Sequence, residues 1–147
     1  MPGFAIAVVS ILLGVIAVLG GSFPSSSGDD GGADAVAHNF LSYRAAVNHV
    51  ALYTPQPEGA VSGASLNLPS TWAPVRNWRN QIQGGRCYVW GNASADEIRA
   101  AQRGLNDSYS IGTAINGHIV TAHGSGEALP GFIADGSIVS VVEVKMP

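Results

Sequence analysis

The sequence predicts an α+β fold: an N-terminal transmembrane helix, a flexible linker, then a small domain with a long helix on a mainly antiparallel sheet of about five strands. Three observations predict it. The first 28 residues carry no charge, although the 147-residue chain has seven Lys+Arg and ten Asp+Glu. Apolar residues recur at three- and four-residue steps between Asp34 and Tyr53, the spacing of one helix face. Beyond them, short β-rich runs flank Gly84-Gly85 and Asn116-Gly117, residues suited to tight hairpin turns.

Phe4 to Phe23 has no charge, and its only polar side chains are Ser10 and Ser22. Twenty residues at about 1.5 Å each make a rod of roughly 30 Å, the thickness of a bilayer's hydrocarbon. A helix satisfies all its backbone hydrogen bonds within one such segment. Residues 1–23 are therefore read as a membrane anchor, with Phe4, Ile6, Val8, Ile11, Leu12, Val15, Ile16 and Leu19 as its apolar body. A cleaved signal peptide fits less well, because the segment lacks a basic start and an A-x-A site. A buried core helix would need more protein to wrap it. Gly3-Phe4 looks like a prepilin peptidase junction, but Val8 stands where prepilins usually carry Glu. Neither flank has Lys or Arg to fix orientation. The three-residue tail is expected to stay inside and the rest to lie outside: single pass through the inner membrane, C-terminal domain in the periplasm if the source is Gram-negative. Residues 24–32, PSSSGDDGG, read as the flexible linker.

Residues 33–147 form the extracytoplasmic domain in this reading. Val36, Phe40, Tyr43, Val47 and Val50 make the apolar stripe of a helix over Asp34–Tyr53, ended by Thr54-Pro55-Gln56-Pro57. Its expected role is the face packed on a sheet. A turn-rich stretch leads to Val75–Ile82, which pairs across Gly84-Gly85 with Arg86–Trp90. Ser94-x-x-Glu97 is a capping box opening a short helix that Gly104 is expected to stop. Tyr109–Ile115 and His118–Ala122 flank Asn116-Gly117, and a loop through Gly124-Ser125-Gly126-Glu127 follows. Ser137–Val144 is a closing strand whose continuous Val/Ile content suggests a central position.

Composition excludes several functions. Charged residues are 12% and mean hydropathy is +0.22, unlike a disordered chain. A net charge of -3 with few basic residues argues against a nucleic-acid groove. A lone Cys87 leaves no disulfide framework or Cys-based zinc cluster, and reads as a packed core thiol. His38, His49, His118 and His123 lack metal-site spacing. Gly124-Ser125-Gly126 is neither a hydrolase elbow nor a phosphate loop, though an anchored hydrolase using Ser125, His118 and His123 stands as an alternative. Asp96-Glu97 is explained by the helix dipole. No catalytic residue, metal or cofactor is read, and the chain is not expected to be an enzyme. Trp72, Trp78 and Trp90 divide between core and interface, two of the three favoured for the core. The basic concentration of Arg76, Arg79 and Arg86 is read chiefly as a solvated edge. Arg76, Trp78, Arg79 and Trp90 are the candidate protein-interface residues.

The chain resembles the PilM family of conjugative-plasmid type IV (thin, type IVb-like) pilus biogenesis proteins. The matching segments, in order, are Asn39-Phe40-Leu41-Ser42-Tyr43-Arg44-Ala45-Ala46-Val47, Gly59-Ala60-Val61, Leu66-Asn67-Leu68-Pro69, Gly84-Gly85-Arg86-Cys87-Tyr88-Val89-Trp90, Ser110-Ile111-Gly112, and Leu129-Pro130 through Val139. The resemblance implies a small membrane-associated accessory protein of pilus assembly in conjugation, without enzyme activity. It implies other pilus-assembly proteins or pilins as partners. A minor pilin-like filament subunit is the nearest alternative. An actin-like ATPase of other pilus systems shares the name, but this chain is too short for that fold and has no nucleotide motif.

Overall fold

Helix α1 runs Gly28–Tyr53 in a computed structural model that describes residues 28–145. The expected anchor, Phe4 to Leu19 included, and the first part of the linker lie outside the described residues. Among the described residues, no helix is long and apolar enough to cross a membrane. α1 begins at Gly28, within the stretch expected as linker.

α1 buries Ala37, Phe40, Val47, Val50 and Ala51, close to the predicted stripe. Phe40 is fully enclosed, a burial that stabilises by about 2–3 kcal/mol. Arg44 lies on the same helix and crosses to the sheet. Its Nε donates to Ser140 Oγ at 2.6 Å and its Nη2 to Ser110 Oγ at 3.0 Å. Burial lowers the Arg44 pKa.

The sheet has six strands rather than five: β1 (Arg79–Gln83), β2 (Arg86–Gly91), β3 (Ile111–Ile115), β4 (His118–Thr121), β5 (Gly124–Ala128) and β6 (Ile138–Glu143). Their order is β1-β2-β6-β3-β4-β5, and every pairing is antiparallel. Both predicted turns form. Gly84 and Gly85 have φ of 59° and 75°, and Asn116 and Gly117 have 50° and 73°, the left-handed pair that a type I′ turn requires. β6 is central, and its Ile138, Val139, Ser140 and Val141 are all buried, as its Val/Ile content implied.

β5 occupies the stretch read as a loop. All five of its residues are exposed, so it is held by its backbone ladder to β4, across a register shift between His118 and Val120. No side-chain pattern was needed to make it a strand.

Helix α2 (Ala95–Gly104) carries the predicted capping box. Ser94 N donates to Glu97 Oε2 at 2.9 Å, and Glu97 N to Ser94 Oγ at 3.2 Å. Its end is corrected. Leu105 is the cap, and the left-handed residues are Asn106 and Asp107. Gly104 serves close packing instead: a Cβ there would lie 2.7 Å from Leu41 Cδ1.

Each face of the sheet carries an apolar cluster. The helix-side cluster includes Phe40, Val47, Ile82, Cys87, Val89, Ile98, Ala101, Ile111 and Ile138. The other joins Tyr88, Trp90, Ala114, Ile119, Val139 and Val141 to Ile133, with Leu129 packed against it. Residues 129–137, between β5 and β6, thus give the second face its cover.

Candidate functional site

β1 is an edge strand. Arg79 lies opposite Trp90, and Gln81 opposite Tyr88. Opposed residues of an antiparallel pair share a face, so Arg79 and Gln81 stand on the side away from α1, beside two aromatic rings. Phe132 leans over those rings from the covering loop. Its centroid is 5.0 Å from that of Trp90 and 6.2 Å from that of Tyr88, the latter edge-on at 84°. Phe132 is 41% exposed, while Trp90 is buried and forms the floor.

A cleft of about 440 Å³ follows the edge of β1, lined by Tyr43, Ala60, Arg79, Gln81, Trp90 and Phe132. A recess of about 190 Å³ shares Arg79, Trp90 and Phe132 with it. On the helix side the wall is Tyr43, stacked on Trp72 at 5.9 Å. The Tyr43 hydroxyl accepts from Asn80 Nδ2 at 2.7 Å. Burial raises the Tyr43 pKa, which keeps the phenol neutral.

Residues 59–61 strap one end of the β1 edge. Gly59 and Ile82 exchange backbone bonds of 2.9 and 2.8 Å. Val61 then turns into the helix-side core, held by the Asn80 side chain, whose Oδ1 accepts from Val61 N at 2.6 Å.

Among the arginines, Arg79 stands apart. Arg76 pairs with Glu97 at 2.7 Å, Arg86 with Glu127 at 2.9 Å and Glu143 at 3.6 Å, Arg99 with Asp96 at 3.0 Å, and Arg103 with Asp34 at 3.7 Å. Arg44 is held by serines. Among the described residues, Arg79 has no carboxylate within ion-pair distance. An exposed guanidinium beside an aromatic floor can take a carboxylate in a two-pronged hydrogen bond.

Of the four expected interface residues, Arg79 and Trp90 line the cleft, and Trp78 and Arg76 do not. Trp78 is 7% exposed, edge-on to Phe40 at 5.0 Å, with Nε1 donating to Asn39 Oδ1 at 2.7 Å. It packs in the helix-side core. Arg76 is spent on Glu97, the capping-box residue of α2. Phe132 was missed. A single Phe between Pro130 and Asp135-Gly136 carries no periodicity that would mark it.

The residues considered for other chemistry have their own partners. His123 Nε2 lies 2.7 Å from Asp107 O, and its ring stacks on Tyr109 at 4.1 Å. His118 Nδ1 lies 3.1 Å from Asn116 O. Ser125 lies opposite Val120 on exposed β5, and among the described residues no hydrogen bond joins it to either imidazole. Cys87 is fully buried, and burial pushes its thiol up to about 11, only partly opposed by Arg44. Among the described residues, no group of three or more His, Cys, Asp or Glu could hold a metal ion.

The family model PilM matches residues 8–141. The chain belongs to the PilM family. That family is related to pilus biogenesis proteins. A solved PilM protein from Escherichia coli B7A shares the fold, with a TM-score of 0.63 and 24% identity over 82% of this chain and 99% of its own. A pilM protein from Pseudomonas aeruginosa 2192 is 26% identical over 76% of this chain and 94% of its own, at a TM-score of 0.47. No curated protein matches the chain.

Proposed function

We propose that this PilM-family chain is a membrane-anchored accessory component of type IV pilus assembly in conjugation, acting by protein contacts at the Arg79–Trp90–Phe132 cleft. The observation that carries the reading is the PilM match over residues 8–141. The cleft supports contact rather than catalysis: it offers a guanidinium with no carboxylate partner among the described residues and an aromatic floor, and the histidines considered for a hydrolase are engaged elsewhere. The uncharged run from Phe4 to Phe23 supports a single pass through the inner membrane, with the domain in the periplasm.

Deleting the gene in a donor strain should abolish pili and mating. The wild-type chain should restore both, and Arg79→Glu should restore neither. A deletion strain that piliates and mates normally would remove the reading. The anchor is tested separately. The chain should resist alkaline extraction from membranes and be cut by protease only from the periplasmic side. Recovery in the soluble fraction would remove the anchor.

A further inference from the structure

We infer that the recess beside Arg79 takes the carboxyl terminus of a partner protein, with the terminal carboxylate on the Arg79 guanidinium and the last side chain against Phe132. The inference rests on the preceding reading that this face is the working surface. Three observations carry it.

The first is a set of donors without acceptors. Asn77, Arg79, Asn92 and Ser137 supply the polar wall of the recess of about 190 Å³. Among the described residues, Arg79 has no carboxylate partner, and the side-chain amides of Asn77 and Asn92 make no hydrogen bond. Ser137 is 3% exposed, and among the described residues its hydroxyl makes no hydrogen bond either. It is not sealed off, as Asn48 Oδ1 and the Trp72 indole N–H are. The small area that Ser137 keeps is therefore at its hydroxyl, on the recess it lines.

The second is charge. Among the described residues, neither the recess nor the cleft has an Asp or Glu in its lining. Asp135, on the covering loop, turns its Oδ1 to Gly117 N at 3.2 Å. One guanidinium among neutral donors matches a single negative charge. A terminal carboxyl has a pKa of about 3.5, so it is ionised at neutral pH, and arginine meets a carboxylate through two parallel hydrogen bonds. A phosphate carries roughly -1.5 to -2 and would outweigh the one cation. An anionic bilayer needs clustered Lys and Arg.

The third is shape. The recess shares Arg79 and Phe132 with the cleft of about 440 Å³. Ligand pockets usually exceed about 300 Å³, so the recess suits one end group and the cleft suits the residues that lead to it. A chain that stops in the recess has nothing to thread onward. Phe132, 41% exposed, lines both spaces, which sets an apolar last side chain against its ring. This mode of entry uses no backbone group of β1, so residues 59–61 stay bonded along that edge.

The test uses the full chain in mild detergent and three seven-residue probes carrying a fluorophore at the amino end. One reads Ser-Thr-Ser-Gly-Thr-Val-Phe with a free carboxyl terminus. The second is the same peptide amidated, and the third is amidated with Asp in place of Val. Fluorescence anisotropy should show the free-acid probe binding at least tenfold tighter than either amidated one. Arg79→Gln and Asn92→Asp, both at exposed positions, should each remove that preference while leaving the circular dichroism spectrum unchanged. Phe132→Ala should weaken the free-acid and amidated probes alike.

Equal binding of the free-acid and amidated probes, no binding of any at millimolar concentration, or a preference that survives Arg79→Gln overturns the inference. An amidated Asp probe as tight as the free acid also overturns it, because an internal carboxylate would then serve. The two readings fail separately. Normal piliation in the gene deletion, with the free-acid preference intact in solution, removes the pilus role and leaves the recess inference standing. Loss of pili without any such preference does the reverse.

Discussion

Asn39 joins α1 to the segment leading into β1, and removing its amide should cost a calculable amount. Its Oδ1 accepts from Trp78 Nε1 at 2.7 Å and from Val75 N at 3.1 Å, and its Nδ2 donates to Ala73 O at 2.8 Å. In Asn39→Ala the indole N–H of buried Trp78 is left without a partner, which costs about 1–3 kcal/mol. The Val75 and Ala73 groups lie at exposed bonds, so water replaces Asn39 there, at about 0.5 kcal/mol each. Alanine returns roughly 0.5 kcal/mol through helix propensity. The net loss is about 2 kcal/mol, or a fall in Tm of about 8 °C for a domain of this size. Asn39→Asp keeps an acceptor for both N–H groups but turns a second acceptor oxygen toward Ala73 O at an exposed position, so it should cost about 1 kcal/mol, less than Asn39→Ala. Urea unfolding of the detergent-solubilised chain, followed by tryptophan fluorescence, measures both through the shift in midpoint at constant slope. The reasoning is refuted if Asn39→Ala lies within about 0.5 kcal/mol of wild type, or if Asn39→Asp is as damaging as Asn39→Ala.

Three further outcomes are expected. Ser94→Ala removes the acceptor for Glu97 N and should lower stability by about 1 kcal/mol in the same assay. Gly112→Ala would drive a Cβ into the backbone of Val120, forcing β3 and β4 apart. It should cost at least about 3 kcal/mol or prevent recovery of folded protein, and a circular dichroism melt reads it. Cys87 has its folded pKa raised from 9.0 to about 11 by burial. The unfolded chain therefore loses the thiol proton first, and the thiol's contribution, intact below about pH 9, is lost as pH rises toward 11. Urea midpoints measured between pH 8 and 11 should fall more steeply for wild type than for Cys87→Ala, by an amount on the order of 2 kcal/mol.

The sequence was most readable where a local rule has few exceptions. Gly84-Gly85 and Asn116-Gly117 supply positive φ, and Ser94 with Glu97 forms a reciprocal cap. The run Ile138–Val144 announced a central strand because burial on both faces leaves no polar alternation. β5 was unreadable for the opposite reason: every residue is exposed, so Gly-Ser-Gly-Glu-Ala needed no strand-like side chain. Gly104 was misread because a glycine can serve close packing as well as a left-handed turn. The site was half legible. Arg79 and Trp90 share a hairpin face, which alternation can foretell. The separation of Trp78 from Trp90 depends on where β1 begins, and Trp78 lies one residue before it, against Phe40. Phe132 reaches the cleft only because its loop folds across the sheet, a tertiary fact with no local signature.

Chain order and spatial order disagree most at β6. The ribosome makes the hairpin β1–β2 early and β3–β4–β5 later, and each can zip up locally as it emerges. Until β6 appears, these are two fragments with raw inner edges, since among the described residues only β6 pairs with both β2 and β3. The middle of the sheet is thus made after the strands on both sides of it. A stalled or clipped product lacking Ile138–Glu143 would expose two unpaired margins at once, the kind of species that aggregates or is degraded.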